Sequence, residues 1–363
     1  MEVANSISQV FLYLCFSVLA GSFILQLVPN KYRPDVSVSN RILLISTGLV
    51  PILSFIPILD IILYIAPRLG LVDSVKVVLT TYTVGTAWNF TLFGSAILLL
   101  LIAVAKPSEK GLIAFLGLTL TVGLILTVAW SSHAGSVDPI LGIASDFMHL
   151  AAVSIWVGIL LVVGWCSLNH KNWLEFLSWF SIVAMSCLAT TAISGVLLMD
   201  LMVEDYLDSW MVSYGQGVFI KHLFLLPLVF YALVNGLIVK FLISKNASFN
   251  PIPWIRLEGF ILIVIFMITA IFSQQAPPHG NYLTSDAVSP LLRLFHDDII
   301  DVGNTIGFGG GPVTVLFFFV SIVLMGLNIW SIFKKTSIMI SFLLSCLFVM
   351  SVYIMFMISV VVR

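Results

Sequence analysis

The stretch "HAGSVDPILGIASDFMHLAAVSIWVGIL", His133 to Leu160, begins polar and ends as an unbroken apolar run. From Ile140 the run continues to Leu168 and contains one acid, Asp146, and one imidazole, His149. A helix needs about 20 apolar residues to cross the hydrocarbon core of a bilayer. This segment is long enough, and it carries ionisable groups near its start. Charged side chains inside a bilayer cost about 2.5–3.5 kcal/mol on insertion scales, so they usually face a bundle interior or a cavity and mark a functional path.

The same pattern repeats along the chain. About ten segments are apolar and long enough to span: 7–28, 41–66, 78–105, 111–131, 140–168, 174–200, 217–243, 256–273, 313–333 and 338–361. The 363 residues are 60% hydrophobic and only 9% charged, whereas a soluble domain carries roughly 25% charged residues. Lipid offers the backbone no hydrogen-bond partner, so spanning segments close their own bonds as helices. The short alternating segments of a β-barrel do not appear. The expected fold is therefore all-α, a polytopic transmembrane helical bundle of about ten helices. Pro51, Pro57 and Pro227 fall inside helices and are expected to mark kinks.

Lys and Arg set the orientation, because cytoplasmic loops carry the excess. With the N-terminus outside, Arg68, Lys76, Lys221, Arg293 and Arg363 are outer and the other 11 of the 16 basic residues are inner. The expectation is N-out and C-out. The first run lacks Lys or Arg before Lys31, so it reads as an anchor and not as a cleaved signal peptide. Acidic residues show the opposite bias. Asp200, Glu204, Asp205 and Asp208 crowd one outer loop, and Asp286, Asp297, Asp298 and Asp301 another. Five of the six histidines, His133, His149, His222, His279 and His296, also fall on or near the outer side.

The net charge of −1 and the lack of a basic run give no reason to expect nucleic acid. Cys15, Cys166, Cys187 and Cys346 lie in apolar runs and form no Cys-x-x-Cys, so they read as small buried side chains. "GFGGGP", Gly307 to Pro312, is a flexible turn and not a phosphate loop, since no Lys-Ser/Thr follows. No Ser/His/Asp or His-Glu-x-x-His arrangement appears, and no enzymatic activity is expected.

Asp146 and His149 are three residues apart and share one helix face. Trp156 lies on that face too, and Ala151, Ala152, Ser154 and Gly158 permit close helix packing. Imidazole and carboxylate suit divalent transition metals, and Met suits Cu(I). The second nitrogen of a coordinating histidine is usually held by a carboxylate. Asp146 can hold His149 in that way or ligate itself. The bland alternative is a polar pair that satisfies itself at the interface. His133, at the end of the preceding helix, and His279, in "QQAPPHG", lie on the same side and add weight to a metal site. For His222 the plain expectation is a hydrogen bond to a loop. Asp60 is either a proton carrier, a partner of Lys221 or half of an ordinary polar pair. Met199, Met202 and Met211 read first as core or lipid-facing residues, and His296 with its acids as a solvated loop.

At these residues the sequence resembles the bacterial copper resistance D family. "HAGSVDPILGIASDFMHLAAVSIWVGIL" is similar to its His-Ala, Asp-x-x-His and Trp-x-Gly signature. "SWFSIVAMSCLATTAISGVL", "YGQGVFIKHLFLLPLVFYALVNG" and "RLEGFILIVIFMITAIFSQQAPP" resemble its following helices, in order. The resemblance covers about residues 130–280. It implies a four-helix core at 131–280, with four leading helices at 1–130 that fit the family's layout; the expected extracytoplasmic loop at 281–312 and two added helices at 313–363 lie outside it. It also implies a copper-handling protein of the bacterial cytoplasmic membrane, with uptake the expected direction. The expected metal ligands are His149 and His133 first, Asp146 as the orienting or third ligand and His279 as a closing ligand from the loop, and the expected partners are copper ion, membrane lipid and a separate extracytoplasmic copper-binding protein. Two rival readings stand beside it. One is a haem-binding electron-transfer protein with axial histidines such as His149 and His222. The other is a non-transporting protein that hands copper to an oxidase.

Overall fold

The computed structural model describes residues 1–104, 110–169, 171–245, 249–278, 288–296, 303–334 and 336–363. The chain is an all-α, polytopic membrane protein. Among the described residues ten helices are long and apolar enough to cross a bilayer.

Contacts divide the chain into two compact units. The first holds Met1–Leu201 and Asn235–Ile255, and the second Met202–Val234 and Arg256–Arg363. The first unit contains α1 (Glu2–Leu27), α2 (Asn40–Leu69), α3 (Leu71–Thr81), α4 (Thr83–Val104), α5 (Lys110–Trp130), α6 (His133–Val137), α7 (Leu141–Cys166) and α8 (Trp173–Met202). α1 lies at its centre. Leu12, Phe16, Leu19 and Phe23 of α1 pack with Val50 of α2, Leu98 of α4 and Ile125 of α5 in one buried cluster.

The most extensive helix contact is α1 against α7. A Cβ added at Gly158 would stand 2.1 Å from the Ser17 carbonyl, and one at Gly21 would stand 2.2 Å from the Gly158 carbonyl. The two backbones touch because neither residue has a side chain, the close approach that small residues give membrane helices.

The expected third segment, 78–105, is two helices. The chain breaks at Tyr82, which is extended at φ −80° and ψ 138°, in a Thr-Thr-Tyr-Thr run of residues that lose rotamer freedom in a helix. A Cβ on Gly85 would lie 2.0 Å from the Val78 carbonyl, so this tight corner depends on glycine. α2 runs on through Pro51, Pro57 and Pro67 as one helix of 30 residues.

The loops at the far ends of α1 and α7 are tied together. Asn169 donates to Asp35 at 2.6 Å, Asn172 donates to the Asn30 carbonyl at 2.8 Å, and Trp179 donates to the Tyr32 carbonyl at 2.8 Å. Asn172 takes the left-handed conformation at φ 56°, which Asn tolerates better than most residues, and α8 starts from there.

The second unit contains α9 (Ser213–Leu233), which runs through Pro227. A π-helical stretch, Val234–Val239, follows it and leads into α10 (Lys240–Lys245); from Asn235 onward these belong to the first unit. The second unit resumes within α11 (Ile252–Phe272) and adds α12 (Pro290–Arg293), β1 (Ile306–Phe308), α13 (Pro312–Phe333), α14 (Ile338–Ser359) and β2 (Val360–Val362). β1 and β2 pair antiparallel, with Gly307 opposite Val361. A buried polar chain joins three helices there: Tyr231 donates to Asn328 at 2.9 Å, and Ser345 donates to the same oxygen at 3.1 Å.

Candidate functional site

The polar start of the opening stretch is a pair of caps. Ser132 accepts from the Gly135 N–H at 3.1 Å and begins α6. Asp138 accepts from the N–H groups of Ile140 and Leu141, each at 2.9 Å, and begins α7. Asp138 thus satisfies donors that a helix start leaves without partners. A Cβ on Gly142 would lie 2.0 Å from the Ala134 carbonyl, which holds α6 down on α7. His133 is the first residue of this capped turn and is exposed.

Asp146 and His149 are both half-buried on α7. His149 lies eight residues beyond Leu141, about 12 Å along the helix at a rise of 1.5 Å per residue. Its Nδ1 is 3.2 Å from the Ser194 hydroxyl of α8. The Ser194 hydroxyl is 2.7 Å from the Thr190 carbonyl and 3.3 Å from that of Thr191. The hydroxyl has one proton to donate and can also accept. The His149–Ser194 bond runs in the direction set by which ring nitrogen carries the proton. A Cβ on Gly195 would stand 3.4 Å from Cε1 of His149, at ordinary contact distance, so this position of α8 lies directly against the ring. Asp146 lies close enough to act electrostatically on Tyr13 of α1.

Seven residues further along each helix, the Cys187 thiol meets the Trp156 backbone. α7 and α8 are therefore antiparallel and in register at two levels, His149 with Ser194 and Trp156 with Cys187. Trp156 is only 2% exposed and fills the level beneath His149.

The other candidates fall elsewhere. His279 lies outside the described residues. Among the described residues no three His, Cys, Asp or Glu side chains come together as a metal-holding group. Within the second unit, Nδ1 of His222 and the Tyr206 hydroxyl are 2.8 Å apart. This is the loop hydrogen bond expected of His222. Burial pushes the Tyr206 phenol up to about 12, against the opposing effect of a bond to Trp210, so the hydroxyl stays protonated at neutral pH. Asp60 accepts from Asn5 at 3.2 Å, a polar pair in the first unit. Met202 and Met211 are buried. His296 donates from Nε2 to the Met357 carbonyl at 3.0 Å. Asp297, Asp298 and Asp301 lie outside the described residues.

The fold and this site define a multi-pass helical membrane protein with a histidine held by a hydroxyl inside one of its spans. Residues 174–272 match the family model of copper resistance protein D. A curated relative, the copper transport protein CutJ of Bacillus subtilis (strain 168), is 30% identical over 166 residues, or 43% of this chain. The match spans 29% of that relative's own length. No solved structure matches the chain. The matched family region includes Ser194, Gly195 and His222, and it begins after His133, Asp146 and His149.

Proposed function

We propose that this protein binds copper ion at the His149 end of α7 and carries it across the bacterial cytoplasmic membrane, inward. The observation that carries the reading is the hydrogen bond between Nδ1 of His149 and the Ser194 hydroxyl, two turns into a membrane span. A histidine fixed at one nitrogen offers the other to a metal. The likeness of residues 174–272 to copper resistance protein D and the name of the relative CutJ supply the choice of metal. Asp146, on the same face of α7, is the second ligand in this reading; His133 would have to move in to complete the site, and His279 is the other candidate to complete it, from the loop after α11. The site lies on the outer side, and the acidic loops concentrate cations there. A separate extracytoplasmic protein delivers the ion.

The test is elemental analysis of the full-length protein, purified after growth in copper and washed briefly with chelator. About one copper per chain with no iron is the expected result. The His149→Ala protein is expected to insert normally and to lose that copper. Stoichiometric copper retained by His149→Ala overturns the site, and stoichiometric iron in the wild type favours the haem reading. Copper accumulation by intact cells then separates transport from handover to a partner.

A further inference from the structure

Asn5 of α1 and Asp60 of α2 meet at one end of the first unit. Tyr13 of α1 feels the charge of Asp146 and Gly21 touches Gly158, so α1 runs parallel to α7 and Asn5 lies at the end that carries His133. Asn5 stands in the first turn of α1 and is only 7% exposed. Its Nδ2 donates to Asp60 at 3.2 Å. Among the described residues this is the one hydrogen bond that Asp60 makes. An ionised carboxylate accepts only and has room for about four such bonds, so it fixes the amide with its amino group toward Asp60. The other end of the amide is the anomaly. Oδ1 of Asn5 is buried and has no hydrogen-bond partner among the described residues. Ser8, one turn on along the same face, gives its proton to the Asn5 backbone carbonyl at 2.7 Å and so does not serve Oδ1. Leaving a buried acceptor without a donor is costly.

An under-satisfied carboxylate beside an orphaned amide oxygen calls for a positive or donating occupant. A proton does not satisfy both groups. It would neutralise Asp60, and the amide could turn to accept it, but Nδ2 would then be the buried atom left over. A cation set against the carboxylate and Oδ1 of Asn5 leaves neither. Both donors are oxygens, the set that hard cations take, whereas Cu(I) favours sulfur. A single carboxylate balances a single positive charge, and unbalanced charge is costly within a span. We propose that Asp60 and Oδ1 of Asn5 form a binding site for a small, hard monovalent cation of the sodium class, which bridges α1 and α2. A buried water donating to both oxygens is the rival occupant. The site does not involve His149, and the inference does not rest on the copper reading.

The experiment uses the copper-free, full-length protein in detergent. Binding of radiolabelled sodium is measured by equilibrium dialysis against choline chloride at constant ionic strength. The wild type is expected to bind sodium saturably and stoichiometrically. Replacing choline by sodium is expected to raise its thermal midpoint, since a ligand that binds only the folded state stabilises it. Asp60→Asn, which keeps the size of the side chain and removes its charge, is expected to lose both effects. Asn5→Leu, which removes Oδ1 and keeps the carboxylate, is expected to lose them as well. Glu175→Gln, exposed in the first turn of α8 at the opposite end of the unit, is expected to keep both. Should Asp60→Asn not fold, Asp60→Glu keeps the charge on a longer arm and is expected to bind sodium more weakly; unchanged affinity there overturns the site. Sodium binding that survives Asp60→Asn overturns it too. A wild type that binds no sodium and has the same midpoint in both salts leaves water as the occupant and overturns the proposal. A midpoint that follows pH in the wild type but not in Asp60→Asn, with no response to sodium, assigns a proton to Asp60 and overturns it equally.

Discussion

His149 is held by one turn of α8 through two contacts of different kinds, a hydroxyl at Nδ1 and a missing side chain beside Cε1. The second contact can be tested apart from the first. Gly195→Val would put branched carbon against the ring from a Cβ already 3.4 Å away, without touching Ser194. The ring would have to swing or the two helices part. Copper affinity is expected to fall about 10-fold, in the range for disturbed ligand support, as measured by chelator competition. Unchanged affinity would show that the ring has slack. Asp146 and His149 were legible in the sequence because ionisable groups are costly in an apolar run. Ser194 was not legible as a partner. Ser17, Ser54, Ser178 and Ser181 make the same bond to the carbonyl four residues back, so nothing local sets Ser194 apart. What distinguishes it is that α8 lies beside α7 in that register, a tertiary fact with no short-range signal. His279 remains a candidate by sequence alone.

The helix pair that supports the site is α1 with α7, and its closeness depends on two glycines. A methyl at position 158 would meet the Ser17 backbone at 2.1 Å, and backbone cannot rotate away as a side chain can. Gly158→Ala is expected to destabilise the protein by about 1–3 kcal/mol, the cost of overpacking a close-packed contact, and to lower the thermal midpoint in detergent. Gly48→Ala is the control. Nothing lies within 4 Å of a Cβ at position 48, and its stability is expected to stay within about 0.5 kcal/mol of the wild type, with the midpoint nearly unmoved. Equal midpoints for the two variants would mean that α1 and α7 do not rely on this contact. The sequence showed that Gly158 permits close packing, but not that α1, more than a hundred residues away, is the neighbour. The division of 78–105 at Tyr82 was hidden for a related reason. The apolar count runs unbroken through the corner, while the corner is made by a Thr-rich run and by Gly85 packing on Val78.

At the scale of the whole molecule, the ten spans follow from composition and length, since a bilayer leaves an apolar chain few choices. Orientation depends on a weaker quantity, the placement of 16 basic residues along the loops. If the side with fewer of them faces outward, α6 and the start of α7 lie outside and the α7–α8 loop lies in the cytoplasm. Ser136 on α6 and Lys171 in that loop are both exposed, so each can report its side as a single cysteine in a protein whose Cys15, Cys166, Cys187 and Cys346 are replaced. In intact cells a membrane-impermeant maleimide is expected to label Ser136→Cys and to reach Lys171→Cys only after permeabilisation. The opposite pattern would put His133 and His149 at the cytoplasmic face. The same ligands would then meet copper from inside, and the proposed inward carriage would have to become export or handover.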